Sequence, residues 1–216
     1  MANFIEEVDE EVRRERMQKL FKRWSPLVFG VVIALLAGVA GYQIWHNHRM
    51  EKAAAAASAF DAALSKVQAG KPLDAAKAFA DLAQTDDSGY ALLARFQQAA
   101  NLLEGKDVKG AIAALDAVAA DNAVAARYRD LARYLAAFHG FDTLDAADLK
   151  QRLSAIPADS LWSANARELL ALAELKAGET EAARRLLTTL SDDAMAPVNL
   201  RGRATELLAA LGGPVQ

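Results

Sequence analysis

A run of twenty residues without a charged side chain, Pro26 to Trp45, constrains this chain more than any other feature. As one helix it would be about 30 Å long, the thickness of a bilayer's hydrocarbon core. Ten of its residues are Leu, Ile, Val or Phe. At about −0.3 to −0.6 kcal/mol each near a helix centre, they favour insertion by roughly 3 to 6 kcal/mol. Gly30, Gly38 and Gly41 would weaken a soluble helix but are common in membrane helices. Trp24 precedes the run, and Tyr42 and Trp45 close it, which suits the two headgroup layers. The expectation is one transmembrane helix over 26–45.

Orientation follows Lys and Arg, not net charge. Arg13, Arg14, Arg16, Lys19, Lys22 and Arg23 precede the run, while Arg49 and Lys52 follow it. This places the N-terminus in the cytoplasm and the C-terminal part outside. A cleaved signal peptide is the rival, because Val39-Ala40-Gly41 has the small residues of a cleavage site. The length of the apolar run and the long, partly acidic leader favour a retained anchor.

Residues 1–25 hold six acids and six bases, so the part after the span carries the whole net charge of −3. An acidic domain argues against nucleic acid, which needs a basic surface, and against adsorption of the domain to anionic lipid by charge. With no cysteine there are no disulfides and no thiol chemistry. Alanine dominates, while β-branched and aromatic residues are scarce beyond the span. That predicts helix throughout and close helix stacking.

In the tail, Phe4, Ile5, Val8, Val12, Met17, Leu20, Phe21 and Trp24 fall near one helical face. This reads as a cytoplasmic amphipathic helix lying on headgroups, with a docking helix for a partner as the other reading. Ser25-Pro26 is a helix-start signal. Gly30, Ala34 and Gly38 recur every four residues, a candidate membrane-helix contact face for self-association. His46 and His48, two apart, do not share a helical face and make a poor metal pair. No signal ends the helix before Gly70, so residues 46–58 are expected to be a helical stalk.

A repeat then emerges. Gly70-Lys71 recurs as Gly105-Lys106, 35 residues on, and Ala76, Asp81 and Asp86 recur at that offset as Ala111, Asp116 and Asp121. A period in the thirties signals an α-solenoid, whose amphipathic units must stack to bury their faces. The predicted pairs are 52–69 with 72–84, 89–104 with 108–120, 123–138 with 145–154, and 161–176 with 179–190. A capping helix near 196–211 follows. Gly70, Gly105, Gly140 and Gly178 fall at the turns, as helix C-terminal glycines. The fold class is all-α: one N-terminal transmembrane helix, then an α-solenoid of about four helix pairs over 59–216.

No catalytic constellation is present in the sequence. His139 lies at a helix end without a serine in nucleophile context. Asp86-Asp87 and Asp192-Asp193 read as solvated turn residues rather than a calcium loop. No glycine-rich phosphate loop occurs. No cofactor, metal or enzymatic activity is expected.

The stretch Leu170 to Leu190 resembles the tetratricopeptide repeat family. Gly178 matches its turn glycine, Ala183 its small packing residue, and Leu187 and Leu190 the packing positions that follow. The Gly70 and Gly105 units match less closely, and the third is degenerate. The resemblance implies a TPR-like domain with a groove for peptide or protein partners. Some members grip a terminal carboxylate from first helices. Counting back from the turn glycines, those positions hold Phe60 and Leu64, Arg95 and Ala99, and Glu168 and Leu172. With Arg95 the one base among them, a carboxylate clamp is not expected. Phe60, Arg95 and Phe96 are the candidate partner groove, with ordinary core and surface roles as the competing reading. The tail Phe4 to Glu15, the single span, the alanine-rich stalk and the degenerate repeats together resemble YfgM-type ancillary subunits of the SecYEG translocon, in their alphaproteobacterial form. That resemblance implies a bacterial inner-membrane scaffold with a periplasmic domain, contacting Sec translocon subunits and a periplasmic chaperone. The alternative is an assembly factor for another envelope process, such as cytochrome maturation or cell division.

Overall fold

A computed structural model describes the backbone of residues 3–85 and 89–213, with side chains from Phe29 onward except Val32. Among these residues all regular structure is α-helical. The elements are α1 (Asn3–Gln68), α2 (Pro72–Thr85), α3 (Gly89–Glu104), α4 (Val108–Ala120), α5 (Ala126–His139), α6 (Ala146–Ser154), α7 (Ser163–Lys176), α8 (Thr180–Asp192) and α9 (Val198–Ala210). The chain divides into two compact units, 1–54 and 55–216.

In the first unit the helix runs through Ser25-Pro26, where the sequence signals a start. Proline removes one backbone hydrogen bond, and the neighbouring turns carry the helix across that loss, a substitution that membrane helices tolerate. Every described side chain from Phe29 to Lys52 is exposed, Ile33, Leu36 and Ile44 among them. This segment of α1 is apolar and long enough to cross a membrane. A Cβ at Gly30 or Gly38 would meet nothing within 4 Å. The amphipathic face expected over residues 4–24 lies outside the described side chains.

The second unit stacks the end of α1 and α2 to α9, each helix packing on the next in sequence. Its core is four successive clusters, each shared by neighbouring helices. Alanine sets the spacing: Ala63, Ala75, Ala94, Ala111, Ala132, Ala171 and Ala183 are fully buried. Small residues at the crossings let helices approach closely.

The repeat is 36 residues rather than 35. Three turns share one geometry: Gly70, Lys106 and Gly178 each adopt positive φ, at 69, 67 and 84°. In each, the N–H of the following residue reaches back five positions, Lys71 to the Lys66 carbonyl, Asp107 to Leu102 and Glu179 to Glu174. This is the glycine-type helix ending known as the Schellman motif. The left-handed residue in the second turn is thus Lys106, not Gly105. Gly105 serves a different purpose: a Cβ there would sit 2.4 Å from Leu73 Cδ2.

With that register the second helices align. Ala75, Ala111 and Ala183 correspond, as do Phe79, Leu115 and Leu187, and then Leu82, Val118 and Leu190, all buried. The third pair departs. At the same spacing Ala147, Gln151 and Ser154 are all exposed. Leu149, Leu153 and Ile156, each two positions later, are buried instead. The α5–α6 turn also drops the left-handed residue: neither Gly140, at φ −87°, nor Asp142, at the 36-residue position, has positive φ. The register is recovered by Gly178.

Candidate interaction groove on the first helices

The first helices of the third and fourth pairs, α5 and α7, and the capping helix α9 line a groove of about 520 Å³. Tyr134 and Phe138 come from α5, Glu168, Leu169 and Leu172 from α7, and Arg203, Glu206 and Leu207 from α9. The spacing explains the convergence. Residues 134 and 138 are four apart, as are 168 and 172, and 203 and 207, so each pair shares one helical face.

One wall is aromatic. Tyr134 stacks on Phe138 at 5.9 Å and on Trp162 at 6.0 Å between ring centroids. Trp162 is fixed by its indole N–H, which donates to the Arg127 carbonyl at 3.1 Å. Burial pushes the Tyr134 phenol up, with the Glu168 carboxylate adding to the rise and a hydrogen bond with Asn165 opposing it. The hydroxyl is therefore protonated across the ordinary pH range. Phe138 is half exposed.

Charge closes the other side. Arg203 donates from Nε and Nη2 to the two Glu168 oxygens, at 2.6 and 2.7 Å. This fork ties α9 to α7, and Glu168 holds the Arg203 pKa above its usual value. Glu206 lines the groove beside it.

The three candidate groove residues separate. Phe60 is buried, its ring 5.1 Å from Phe79 and 5.6 Å from Tyr90. Phe96 is partly buried against a second cluster, with Ile112 and Leu115. Arg95 is bound to Asp121, Nη1 donating to Oδ2 at 2.6 Å. The 36-residue register explains the split. Counting from Lys106 instead of Gly105 makes Phe96, not Arg95, the equivalent of Phe60 and Glu168. Of the positions counted from the turns, Glu168 and Leu172 do line the groove. Tyr134 and Phe138 carry no sequence signal because the third pair has no turn glycine in register, and Arg203 and Leu207 because the capping helix α9 lies outside the repeat.

Arg95 instead belongs to a repeated latch. Arg167 donates to Asp193 Oδ2 at 3.1 Å, again 26 residues on. Each aspartate caps the C-terminus of its second helix, and its Oδ1 accepts an N–H two residues later, Ala123 at 2.9 Å and Met195 at 3.0 Å. The arginine hydrogen bond, then the backbone one, holds each carboxyl below the usual range. The third pair replaces the latch: Asp130 on α5 is buried and accepts from Ser160 Oγ at 2.8 Å and Arg133 Nη1 at 2.7 Å. Among the described residues no group of three His, Cys, Asp or Glu could hold a metal. His139 ends α5 with its ring edge-on to Phe138.

A sequence model described as a tetratricopeptide repeat-like domain matches residues 18–138, more than half of the chain. The chain belongs to this family. Two solved structures share the fold, both of Podosopora anserina putative kinesin light chain nearly identical TPR-like repeats, one of them a Q17M variant. Each has a TM-score of 0.53 over 71% of this chain and 83% of that chain, at 15% identity for the variant and 17% for the other. At those identities the likeness concerns the fold. No curated protein sequence matches the chain significantly. As a TPR-like protein it is a protein–protein interaction scaffold. The family match extends to residue 138, so the groove on α5, α7 and α9 lies mostly beyond it.

Proposed function

We propose that this protein is a non-enzymatic scaffold anchored in the bacterial inner membrane, with its N-terminus in the cytoplasm and its repeats in the periplasm. It stands beside the Sec translocon and recruits a periplasmic chaperone or a client through the α5–α7–α9 groove. The carrying observation is that groove: an apolar floor of Leu169, Leu172 and Leu207, an aromatic wall with Phe138 half exposed, and a charged rim. Such a surface suits an apolar segment held by side-chain packing, with charge setting its direction. Two further observations support the anchored reading. The family match begins at residue 18 and takes in the uncharged run along with the repeats. The Lys and Arg excess lies ahead of that run. Self-association through Gly30, Ala34 and Gly38 is part of the same proposal. Replacing Gly30 and Gly38 by Ile should then abolish a crosslinked dimer in membranes.

The test is a pull-down of the full chain from native membranes in mild detergent, with mass spectrometry of bound proteins. Translocon subunits together with a periplasmic folding factor are expected. Phe138→Asp with Leu172→Asp should lose the folding factor and keep the translocon. Recovery of a cytochrome-maturation or division machine without the translocon would overturn the Sec assignment.

A further inference from the structure

Three charged side chains line the α5–α7–α9 groove, and they are not equivalent. Glu168 is committed: its side chain is 13% exposed, and both its oxygens accept from Arg203. Arg203 gives two of its three nitrogens to that fork. Glu206, about one turn further along α9, is exposed. Among the described residues it forms no hydrogen bond or ion pair, although its charge is felt at Arg203. Two carboxylates against one guanidinium leave the groove one negative charge, and Glu206 carries it. Groups beside the groove do not cancel it. Lys176, one turn after Leu172 on α7, donates to the Phe141 and Leu144 carbonyls and lies over the Phe141 ring, 5.2 Å from its centroid. His139, next to Phe138, has its pKa lowered by burial and is neutral at pH 7. The remaining lining is apolar or aromatic. Clefts of about 300 to 1,000 Å³ take a small organic ligand, so this one holds a few side chains rather than a whole helix.

We propose that the partner segment taken by this groove is a short apolar stretch of protein carrying a lysine or arginine, which pairs with Glu206. This rests on the groove being the interaction site, as proposed above. Charge decides the class. An acidic residue would compete with Glu168 for Arg203, at the expense of a mostly buried carboxylate, and Glu206 would repel it. A basic residue leaves the Glu168–Arg203 fork intact. Its cation meets Glu206, and its apolar stem packs along the Tyr134–Phe138 wall. The neighbouring apolar side chains of the segment cover Leu172 and Leu207, both partly exposed in the empty groove.

The test uses the full chain in phosphatidylcholine nanodiscs, with empty nanodiscs to subtract partition into lipid. Fluorophore-labelled peptides of about twelve leucine, phenylalanine and serine residues, identical except for one central Arg, Gln or Glu, are titrated by fluorescence polarisation. An exposed ion pair contributes up to about fivefold in affinity. The Arg peptide should therefore bind about threefold tighter than the Gln peptide, and about tenfold tighter than the Glu peptide. Glu206→Gln should remove the advantage of Arg over Gln, and Glu206→Lys should reverse the order. Phe138→Asp with Leu172→Asp should weaken all three peptides. Equal binding of the three, or tightest binding of the Glu peptide, would overturn the proposal and keep the groove, provided that the double aspartate variant weakens them. Binding that the double variant leaves unchanged would overturn both the groove and the proposal.

Discussion

The pairs α3–α4 and α7–α8 and the pair between them, α5–α6, solve one packing problem in two ways. The first two end their first helices in the same left-handed turn, bury the same positions of the second helix, and latch an arginine to a C-cap aspartate 26 residues on. The middle pair shifts its buried positions by two, uses Asp130 and Ser160 where the others use the latch, and has Lys176 donate to the carbonyls of its longer turn. Regularity goes with stacking. The departure goes with Tyr134 and Phe138, which line the groove together with residues of the next pair. In repeat folds, the unit that breaks the pattern is thus where a specific surface can form.

The sharpest way to break this comparison is at the 36-residue equivalents. Phe79→Ala should cost about 3 to 5 kcal/mol, because it empties a fully buried site. Gln151→Ala, at the same register in α6, should change stability by no more than about 0.5 kcal/mol. Urea unfolding of the full chain in detergent, followed by circular dichroism, reads both. Equal losses would show that α6 is in register after all.

Next in size is Asp130→Ala, which removes two charge-assisted hydrogen bonds at a buried carboxylate and should cost about 2 kcal/mol by the same measurement. Ser160→Ala should cost less, since Arg133 still pairs with Asp130.

The turns give a smaller effect with opposite signs. Gly178→Ala should lose roughly 1 to 2 kcal/mol, since φ 84° crowds any Cβ. Lys106→Gly should gain about 0.5 kcal/mol, the relieved strain being partly offset by added freedom in the unfolded chain. A loss at Lys106→Gly would mean that this turn is not equivalent to the one at Gly178.

The latches give the smallest effect, seen through pH. Asp121 and Asp193 have lowered pKa values in the fold, so their contribution is full above the ordinary carboxylate range and lost as pH falls through the folded values. Arg95→Ala with Arg167→Ala removes the main cause. The double variant should be less stable than the parent at pH 7, with the gap closing below about pH 4. The same pair of substitutions should leave partner capture at the α5–α7–α9 groove unchanged.

Much of the fold was legible because helix signals are local. Alanine content, apolar spacing and turn residues placed the helices of the repeat unit within a few residues. Gly105 misled the register because glycine at a helix end has two uses, positive φ or close approach. A sequence shows the residue and not which use applies. Here the Leu73 side chain decides. The two-residue shift at α6 was hidden for a related reason: its buried and exposed positions interleave along one short amphipathic stretch, and only the neighbours fix its rotation.

The sequence by itself determined the apolar run, the charge bias around it, the helical class and a period in the thirties. These depend on composition and on residues a turn or two apart. Tertiary structure alone decided that Phe60 is core, that Arg95 is a latch, and that Tyr134, Phe138, Glu168, Leu172, Arg203 and Leu207 share a groove. Those assignments join residues far apart in sequence, on different helices. Such meetings are set by how each helix rotates against its neighbours, which depends on packing that no local spacing records.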